Sequence, residues 1–272
     1  DDTYRLPVEN LANRITEDRR AGKNPFCVVA NAGTTNTGAV DPLTEMAGLC
    51  RQEGLWFHID GAFGAAAVLS EKGRALLSGL EQADSLVIDP HKWLFQPYEI
   101  GCVLLRQREH LRRTFRLVPE YLKDVESKED EINFCDYGIQ LSRSFRAFKL
   151  WASLKTFGVR NFRNAVEWGI SLAELAERRL RRSTYWQITS PARLATLTFR
   201  YVPPGVAPTS LDDYTTRLVD RIVEEGFMMM TSTALRGRKV LRMCTMNPRT
   251  TEQDILDAID HLERLAKELA NG

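Results

Sequence analysis

The sequence predicts an α/β fold followed by a smaller α+β unit. Over the first part of the chain, short apolar runs alternate with helical patterns, as in strands joined by helices within a parallel sheet. The runs are almost continuously apolar, which favours strands buried on both faces. After Ser183 several strand-like runs and two amphipathic helices follow. We therefore expect a large domain over residues 1–182 and a small domain over 183–272.

The elements of the large domain follow from local signals. A helical stripe that contains Leu11 and Ile15 is expected to stop at Gly22, and the next helix is expected to close at Gly54. The predicted elements are helices over 3–22 and 41–54 and strands over 25–33, 55–60, 85–89 and 101–106.

Residues 107–136 are rich in charge and poor in periodicity, which predicts an exposed, mobile loop. Helices are expected over 141–157 and about 160–182. The second ends in a basic run over 178–182. We interpret this run as a solvated helix end rather than a nucleic-acid patch, because no aromatic residues are interleaved with it.

The small domain is predicted from the strand-like runs WQIT, LATLTFRYV and KVLRMCTM and from two amphipathic helices. The helices are LDDYTTRLVDRIVEEG and TTEQDILDAIDHLERLAKEL. A capping box is expected to open the second helix, either between Thr250 and Gln253 or between Thr251 and Asp254.

Composition narrows the classes of function. The formal net charge is +1, so no global field attracts nucleic acid or a membrane surface. No apolar run has the length of a membrane-spanning helix, and the acidic start DDTYRLPVEN does not resemble a signal peptide. The five cysteines are scattered without a CxxC pair, which argues against a disulfide framework and a zinc site. We therefore expect a cytoplasmic protein without a metal.

Polar residues follow three of the predicted strands. Thr35 lies after the first, Asp60 ends the second, and Lys92 follows the third. The carboxyl ends of neighbouring parallel strands meet at one edge of a sheet, which is where open α/β folds bind ligands. A lysine and an aspartate at such an edge suit pyridoxal 5′-phosphate (PLP), since the amine binds the aldehyde and the carboxylate pairs with the pyridine nitrogen. The alternative is a lysine that only forms a salt bridge.

Four ordered motifs carry a family resemblance. NAGTTNTGAVDPL, WFHIDGAFG, ADSLVIDPHKW and PEYLKD resemble the motifs of the group II PLP-dependent amino-acid decarboxylases, which include aromatic L-amino-acid, histidine and glutamate decarboxylases. The likeness extends from about residue 5 to the C-terminus. It implies fold type I, the aspartate aminotransferase-like architecture, with residues 1–182 as the C-terminal part of the PLP-binding large domain.

The resemblance also implies roles for individual residues. Lys92 would be the Schiff-base lysine and Asp60 the partner of the pyridine nitrogen. Ala62 would pack against the ring, and Thr35 would line the cofactor pocket. His91 would contact the phosphate or assist proton movements, the alternative being a packed histidine beside the true actor.

Three further side chains have other interpretations. His58, on the same strand face as Asp60, is interpreted as a residue that orients the aspartate. Arg242 is interpreted as structural rather than as a carboxylate clamp. Asp89 stands where several animal relatives carry asparagine, and a carboxylate close to the cofactor phosphate would be unfavourable; its role is left open.

Tyr121, in PEYLKD, matches the tyrosine of the family's mobile catalytic loop. By resemblance it helps to protonate the substrate's α-carbon after CO2 leaves, and it acts in the neighbouring subunit of a homodimer. Relatives with phenylalanine at this position tend to be aldehyde synthases, so tyrosine favours simple decarboxylation. The alternative is an exposed loop tyrosine without a role.

Family members carry an additional N-terminal region that holds the histidine stacked on PLP and most of the phosphate-binding loop. We therefore expect a further N-terminal segment or a second chain to complete the site. The expected activity is decarboxylation of an L-amino acid whose identity the sequence leaves open. The alternatives are another PLP enzyme, namely an aldehyde synthase, a lyase or an aminotransferase, and a non-catalytic fragment or subunit that binds a partner.

Overall fold

A computed structural model describes residues 1–116 and 132–271. The first sheet has the strand order β1-β2-β3-β4. Its first three strands are parallel, and β4 runs antiparallel to β3. The strands are β1 (Cys27–Asn31), β2 (Trp56–Asp60), β3 (Ser85–Ile88) and β4 (Cys102–Leu105).

The expectation of a mostly parallel sheet is confirmed, but the alternating pattern gave the wrong direction for β4. A parallel neighbour requires a crossover connection, usually a helix. The connection from β3 to β4 contains no helix; instead it folds back on itself, with the N–H of Gln96 bonded to the carbonyl of Pro90. This return places β4 antiparallel to β3.

Helices α1 (Val8–Arg20) and α2 (Leu43–Glu53) contribute to the core beside this sheet. The first begins later than expected, directly after Pro7, which precedes its first turn. Gly54 ends α2 in the left-handed conformation (φ 64°), as the sequence predicted. A 3-10 turn (Gly64–Leu69) and α3 (Glu71–Leu76) follow β2.

One face of the first sheet is open among the described residues, so the expected burial on both faces is wrong for this part of the chain. Val29 pairs with His58 and Val87 pairs with Val103, which places these side chains on a common face of the sheet. Val29 is 55% exposed. The opposite face carries the buried Ala30 and Ile59.

The segment 107–136 was expected to be loop throughout. It contains helix α4 (Glu109–Phe115) and a 3-10 turn (Phe134–Tyr137). This short, highly charged helix has no buried stripe to reveal it in the sequence. Its His110 packs edge-on against Trp56, with ring centroids 5.1 Å apart.

Helix α5 (Ala147–Leu180) replaces the two predicted helices 141–157 and 160–182. Gly158 interrupts it with φ 76° and ψ 150°, and so separates two helical arms close to the predicted junction. Along the second arm, Val166 and Ile170 belong to the first core, whereas Leu172 and Leu180 belong to a second core.

The second sheet is antiparallel, with the order β5-β6-β8-β7. Its strands are β5 (Trp186–Arg193), β6 (Thr196–Tyr201), β7 (Thr231–Leu235) and β8 (Arg238–Cys244), with helices α6 (Leu211–Glu225) and α7 (Glu252–Asn271). The sequence missed β7 because it is polar and largely unburied. A domain boundary near residue 183 stays a prediction, since α5 supplies both cores.

The cap of α7 is the second of the two expected arrangements. The Thr251 hydroxyl accepts a hydrogen bond from the N–H of Asp254 at 3.1 Å. In return, the Asp254 carboxylate accepts one from the N–H of Thr251 at 2.8 Å. The Thr251 hydroxyl also donates to this carboxylate at 2.9 Å, and the bonds from the Thr251 N–H and hydroxyl lower the pKa of Asp254.

In the part of the chain that the structure describes, no helix has the length and apolar character needed to cross a membrane. The same residues contain no cluster of three or more histidine, cysteine or acidic side chains that could hold a metal ion. All five cysteines lie within the described ranges and are unpaired.

The contact between α6 and α7 gives a pH-dependent contribution to stability. Glu225 accepts a hydrogen bond from Arg264 at 2.6 Å, and this bond is the main reason that the pKa of Glu225 is lowered. A carboxylate whose folded pKa lies below its unfolded value of about 4.3 stabilises the fold at neutral pH. That contribution is lost as the pH falls through the folded pKa.

We therefore expect Glu225→Gln to lower the free energy of unfolding at about pH 7, and the difference from the unmodified protein to shrink towards about pH 3. Urea unfolding across this range measures it. Glu224→Gln is the control, because that side chain is 69% exposed and forms only a 3.6 Å pair with Arg221. A difference that stays constant over the whole range would contradict the assignment.

Candidate active site

The carboxyl ends of the three parallel strands lie at one edge of the first sheet. Asn31, the last residue of β1, is in register with Asp60, the last residue of β2. Asp60 is in turn in register with Val87 of β3. The segments that carry Thr35, Asp60 and Lys92 therefore leave the sheet from the same edge.

Asp60 presents an exposed carboxylate at this edge. Its Oδ1 atom accepts a hydrogen bond from the N–H of Ala62 at 3.0 Å, which holds the carboxylate over the turn that follows β2. Gly61 is required in this turn, since a Cβ atom there would lie 2.6 Å from the Cβ of Ala65. The small side chains keep backbone accessible beside the carboxylate.

Thr35 lies in the exposed tip of the loop that follows β1. Gly33 starts this loop with φ 97°, and an added Cβ would lie 2.9 Å from the Cα of Gly64. Arg242 of β8 donates from Nε to the carbonyl of Thr35 at 2.7 Å. This bond joins the loop to the second sheet and supports the structural interpretation of Arg242.

Lys92 lies on the connection from β3 to β4. Its Nζ atom is 2.7 Å from Oδ2 of Asp89, and its N–H donates to the carbonyl of Asp89 at 2.9 Å. The N–H of Asp89 donates to the carbonyl of Ala62 at 3.1 Å. The lysine turn is thereby anchored to the turn that carries Asp60.

His91 is fixed by the main chain on the far side of the connection. Its Nδ1 atom lies 2.6 Å from the carbonyl oxygen of Ile100 and 3.2 Å from the Ile100 nitrogen. Nε2 is thus the ring nitrogen left to contact a ligand. The ring of Tyr98 packs edge-on against His91 at 5.1 Å, and Tyr98 is 82% exposed. Tyr98 carries no local signal in the sequence, because only the fold of the connection places it beside His91.

His58 contacts a polar side chain of the adjacent strand. Its Nδ1 atom lies 2.7 Å from the hydroxyl of Ser85 on the adjacent strand, and the same hydroxyl accepts a hydrogen bond from Trp56 at 2.8 Å. The serine proton is therefore available to His58. A role in orienting Asp60 stays a prediction.

Burial raises the pKa of Cys102, which begins β4. Burial also raises the pKa of Cys27 and brings that of Cys50 to about 11. These three side chains are therefore thiols at neutral pH and lack the nucleophilic thiolate form.

Tyr121 lies outside the described residues, so its expected place in the site stays a prediction. The described residues that were expected to bind PLP are compatible with it. They offer an amine, an exposed carboxylate at a neighbouring strand end and small residues beside that carboxylate, which is the donor set that an aldehyde and a pyridine nitrogen require.

A conserved domain identifies the family of this chain. The model of the pyridoxal-dependent decarboxylase conserved domain matches residues 1–202. This chain belongs to the pyridoxal-dependent decarboxylase family. PLP is accordingly its cofactor, and the expected fold type I architecture is confirmed.

Individual decarboxylase-family relatives give the range of similarity. An aromatic-L-amino-acid decarboxylase of Bacillus atrophaeus is 50% identical over 99% of this chain and 57% of its own length. A phenylacetaldehyde synthase of Arabidopsis thaliana is 30% identical over 94% of this chain and 52% of its own length. The crystal structure of Oryza sativa TDC with PLP and tryptamine superposes with a TM-score of 0.92 at 26% identity, covering 99% of this chain and 56% of that one. The chain thus spans little more than half the length of these relatives.

Proposed function

We propose that this chain supplies the lysine half of a PLP-dependent decarboxylase that converts an L-amino acid into its amine and CO2. One observation carries the proposal: the exposed carboxylate of Asp60 and the amine of Lys92 extend from adjacent strand ends, joined by the bond between Asp89 and Ala62. Membership of the decarboxylase family selects this chemistry among the reactions that such a pair could serve.

In the proposed site, Lys92 holds the cofactor through its amine, and Asp60 holds the ring nitrogen. Ala62 packs against the ring, and Thr35 lines the pocket. His91 offers Nε2 to the cofactor, because Ile100 occupies Nδ1. When bound, PLP withdraws the electron pair that is released as the bond between Cα and the carboxylate breaks.

We further propose an aromatic L-amino acid as substrate. The support is the 50% identical relative, an aromatic-L-amino-acid decarboxylase, and the solved rice structure that contains tryptamine. The exposed ring of Tyr98 beside His91 adds an aromatic surface at the rim.

The test is amine and CO2 release from tryptophan, tyrosine, phenylalanine, histidine and glutamate, measured with the complete protein and added PLP. Borohydride reduction followed by peptide mass spectrometry locates the cofactor. Aromatic amines and a pyridoxyl adduct on Lys92 support the proposal. An adduct on another lysine, or no amine from any of these substrates, refutes it.

Tyr121 is proposed to help deliver the proton to the substrate's Cα after CO2 has left, as a general acid. We expect Tyr121→Phe to divert part of the product from amine to aldehyde, with dissolved O2 as the oxidant that is reduced to hydrogen peroxide and with the amino group released as ammonia. Quantifying amine, aldehyde and hydrogen peroxide from the same reaction measures this partition. Tyr137→Phe is the matched control, and unchanged amine output without aldehyde would refute the assigned role.

The main alternative is an aldehyde synthase, because a 30% identical relative is a phenylacetaldehyde synthase. Product analysis of the unmodified protein separates the two: aldehyde as the main product would select the alternative. An aminotransferase would instead give a keto acid, and an elimination lyase would give an elimination product.

A partner surface is proposed on two grounds. The first sheet exposes Val29 and Val103 on its open face. Phe145, just before α5, and Phe148 and Trp151 on its first arm are also exposed. The ring centroids of Phe145 and Phe148 lie 5.8 Å apart, and Phe148 stacks on Trp151 at 5.6 Å. Large exposed apolar areas mark interaction sites.

We propose that a second copy and a further N-terminal segment or chain cover these surfaces and complete the site. Analytical ultracentrifugation of the complete protein tests the dimer, and a monomer would refute it. A chain that binds its partner but never PLP would select the non-catalytic alternative. A cytoplasmic location is proposed because all five cysteines, each within the described ranges, are unpaired.

A further inference from the structure

Trp93, the residue directly after Lys92, connects the two segments that carry the site. Its side chain is fully buried (0% exposed). Its ring stacks on that of Phe63, with ring centroids 5.0 Å apart and planes inclined by 9°. Phe63 follows Ala62 in the chain. The stack therefore joins the segment of the lysine to the turn that follows Asp60.

The nitrogen edge of the indole faces backbone of α5 and of the segment after β8. A Cβ atom on the buried Gly169 would lie 3.4 Å from Nε1 of Trp93 and 3.1 Å from the carbonyl oxygen of Thr245. The Thr245 hydroxyl donates to the carbonyl of Gly169 at 2.7 Å, which holds these two segments together. The indole is thus enclosed between the ring of Phe63 and this backbone.

The indole N–H of Trp93 has no hydrogen-bond acceptor within the described residues. A buried N–H without a partner costs free energy. Replacing the indole by a phenyl ring would remove that cost and leave a small void, two effects of opposite sign. The hydrogen-bonding group of the tryptophan therefore contributes nothing to stability here. The contribution of this side chain lies in its ring contact with Phe63.

We propose that Trp93 is a positioning residue: its stack on Phe63 fixes the segment of Lys92 relative to the turn after Asp60. The aldehyde carbon and the pyridine nitrogen of PLP belong to one rigid ring, so the amine and the carboxylate must keep a constant spacing. A lysine stem is flexible, so the backbone that carries it must supply the constraint. The inference rests on the proposed function, because it concerns the same lysine and aspartate.

The experiment compares Trp93→Phe with the unmodified complete protein. Three quantities are measured: urea unfolding of the PLP-free protein, the rate at which added PLP gives a borohydride-stable pyridoxyl adduct on Lys92, and kcat. We expect an almost unchanged urea midpoint, because loss of the unpartnered N–H offsets the small void. Adduct formation should slow several-fold, and kcat should fall about ten- to a hundredfold, because the reacting groups are misplaced.

Trp186 supplies a matched control in the second core. It is also buried (5% exposed), and its Nε1 also has no acceptor in the part of the chain that the structure describes. Its ring packs edge-on against Phe199 at 5.4 Å and Tyr201 at 4.8 Å. Trp186→Phe should change the urea midpoint as little as Trp93→Phe does, and it should leave adduct formation and kcat unchanged.

Phe63→Leu removes the ring on the other side of the stack and should also slow adduct formation. The double variant with Trp93→Phe should react no more slowly than the slower single variant, because both changes remove the same contact. Additive losses would place the effect of Trp93 outside the stack and overturn the proposal. If Trp93→Phe does not fold, Phe63→Leu alone decides, and an unchanged rate of adduct formation would overturn the proposal.

Two results with Trp93→Phe itself would also overturn the proposal. One is unchanged adduct formation. The other is a large fall of the urea midpoint with a matching loss of adduct, which would make Trp93 a residue of the core alone. Adduct formation requires no substrate. Equal adduct rates in all variants with normal decarboxylation would refute the role of Trp93 alone, whereas the expected differences without any decarboxylation would refute only the proposed function.

Discussion

Replacing Lys92 by alanine is expected to abolish amine production in the complete protein. The amine is the group through which the chain would hold PLP, and no neighbouring side chain in the described connection repeats it. PLP would then bind only through noncovalent contacts. The lysine amine that the substrate would displace from the cofactor, and that would later release the product, would be missing. The loss should amount to several orders of magnitude in kcat.

The measurement is amine release under single-turnover and steady-state conditions, with borohydride trapping alongside. Lys72→Ala is the control, since that lysine forms an ion pair with Glu174 on the surface. Lys92→Ala also leaves Asp89 without its cation. The folding of this variant must therefore be compared with that of the unmodified protein by urea unfolding. Normal amine production by a folded Lys92→Ala protein would refute the mechanism.

Replacing Asp60 by asparagine is the second large expected effect. The carboxylate is proposed to keep the pyridine nitrogen protonated, and an amide of the same shape has no charge to do so. Losing one preorganised electrostatic partner of a reacting group costs roughly 10²- to 10³-fold in kcat. The amide oxygen can still accept the hydrogen bond from Ala62, so the turn should survive.

The defect should therefore appear mainly in kcat and in the visible absorption of the bound cofactor, with a smaller loss of PLP affinity. Asp220→Asn, an exposed aspartate on α6, is the control. A variant with unaltered kcat and spectrum would show that Asp60 does not contact the ring nitrogen. A variant that has lost α/β secondary structure would instead indicate a structural role for the carboxylate.

Much of the site was predictable because its signals are local. A polar residue directly after an apolar strand predicts a functional strand end, and this placed Thr35, Asp60 and Lys92 at one edge before any contact was known. Gly54 and the Thr251–Asp254 cap were predictable for the same reason, since each depends on the conformation of neighbouring residues.

Other features depend on contacts between residues distant in the sequence. The antiparallel direction of β4 follows from how its connection folds back. An apolar run alone does not indicate whether a strand will be parallel or antiparallel to its neighbour. The bonds from Arg242 to Thr35 and from His58 to Ser85 join separate strands and loops, so no spacing reveals them.

The sequence by itself determined the family, the α/β class and the position of a lysine and an aspartate after two of the strands, because these depend on residue types at fixed local spacing. Only the tertiary structure decided which face of the first sheet is open and how His91 is oriented by Ile100. Side-chain direction and burial depend on the packing of the whole chain, and local propensity does not encode them.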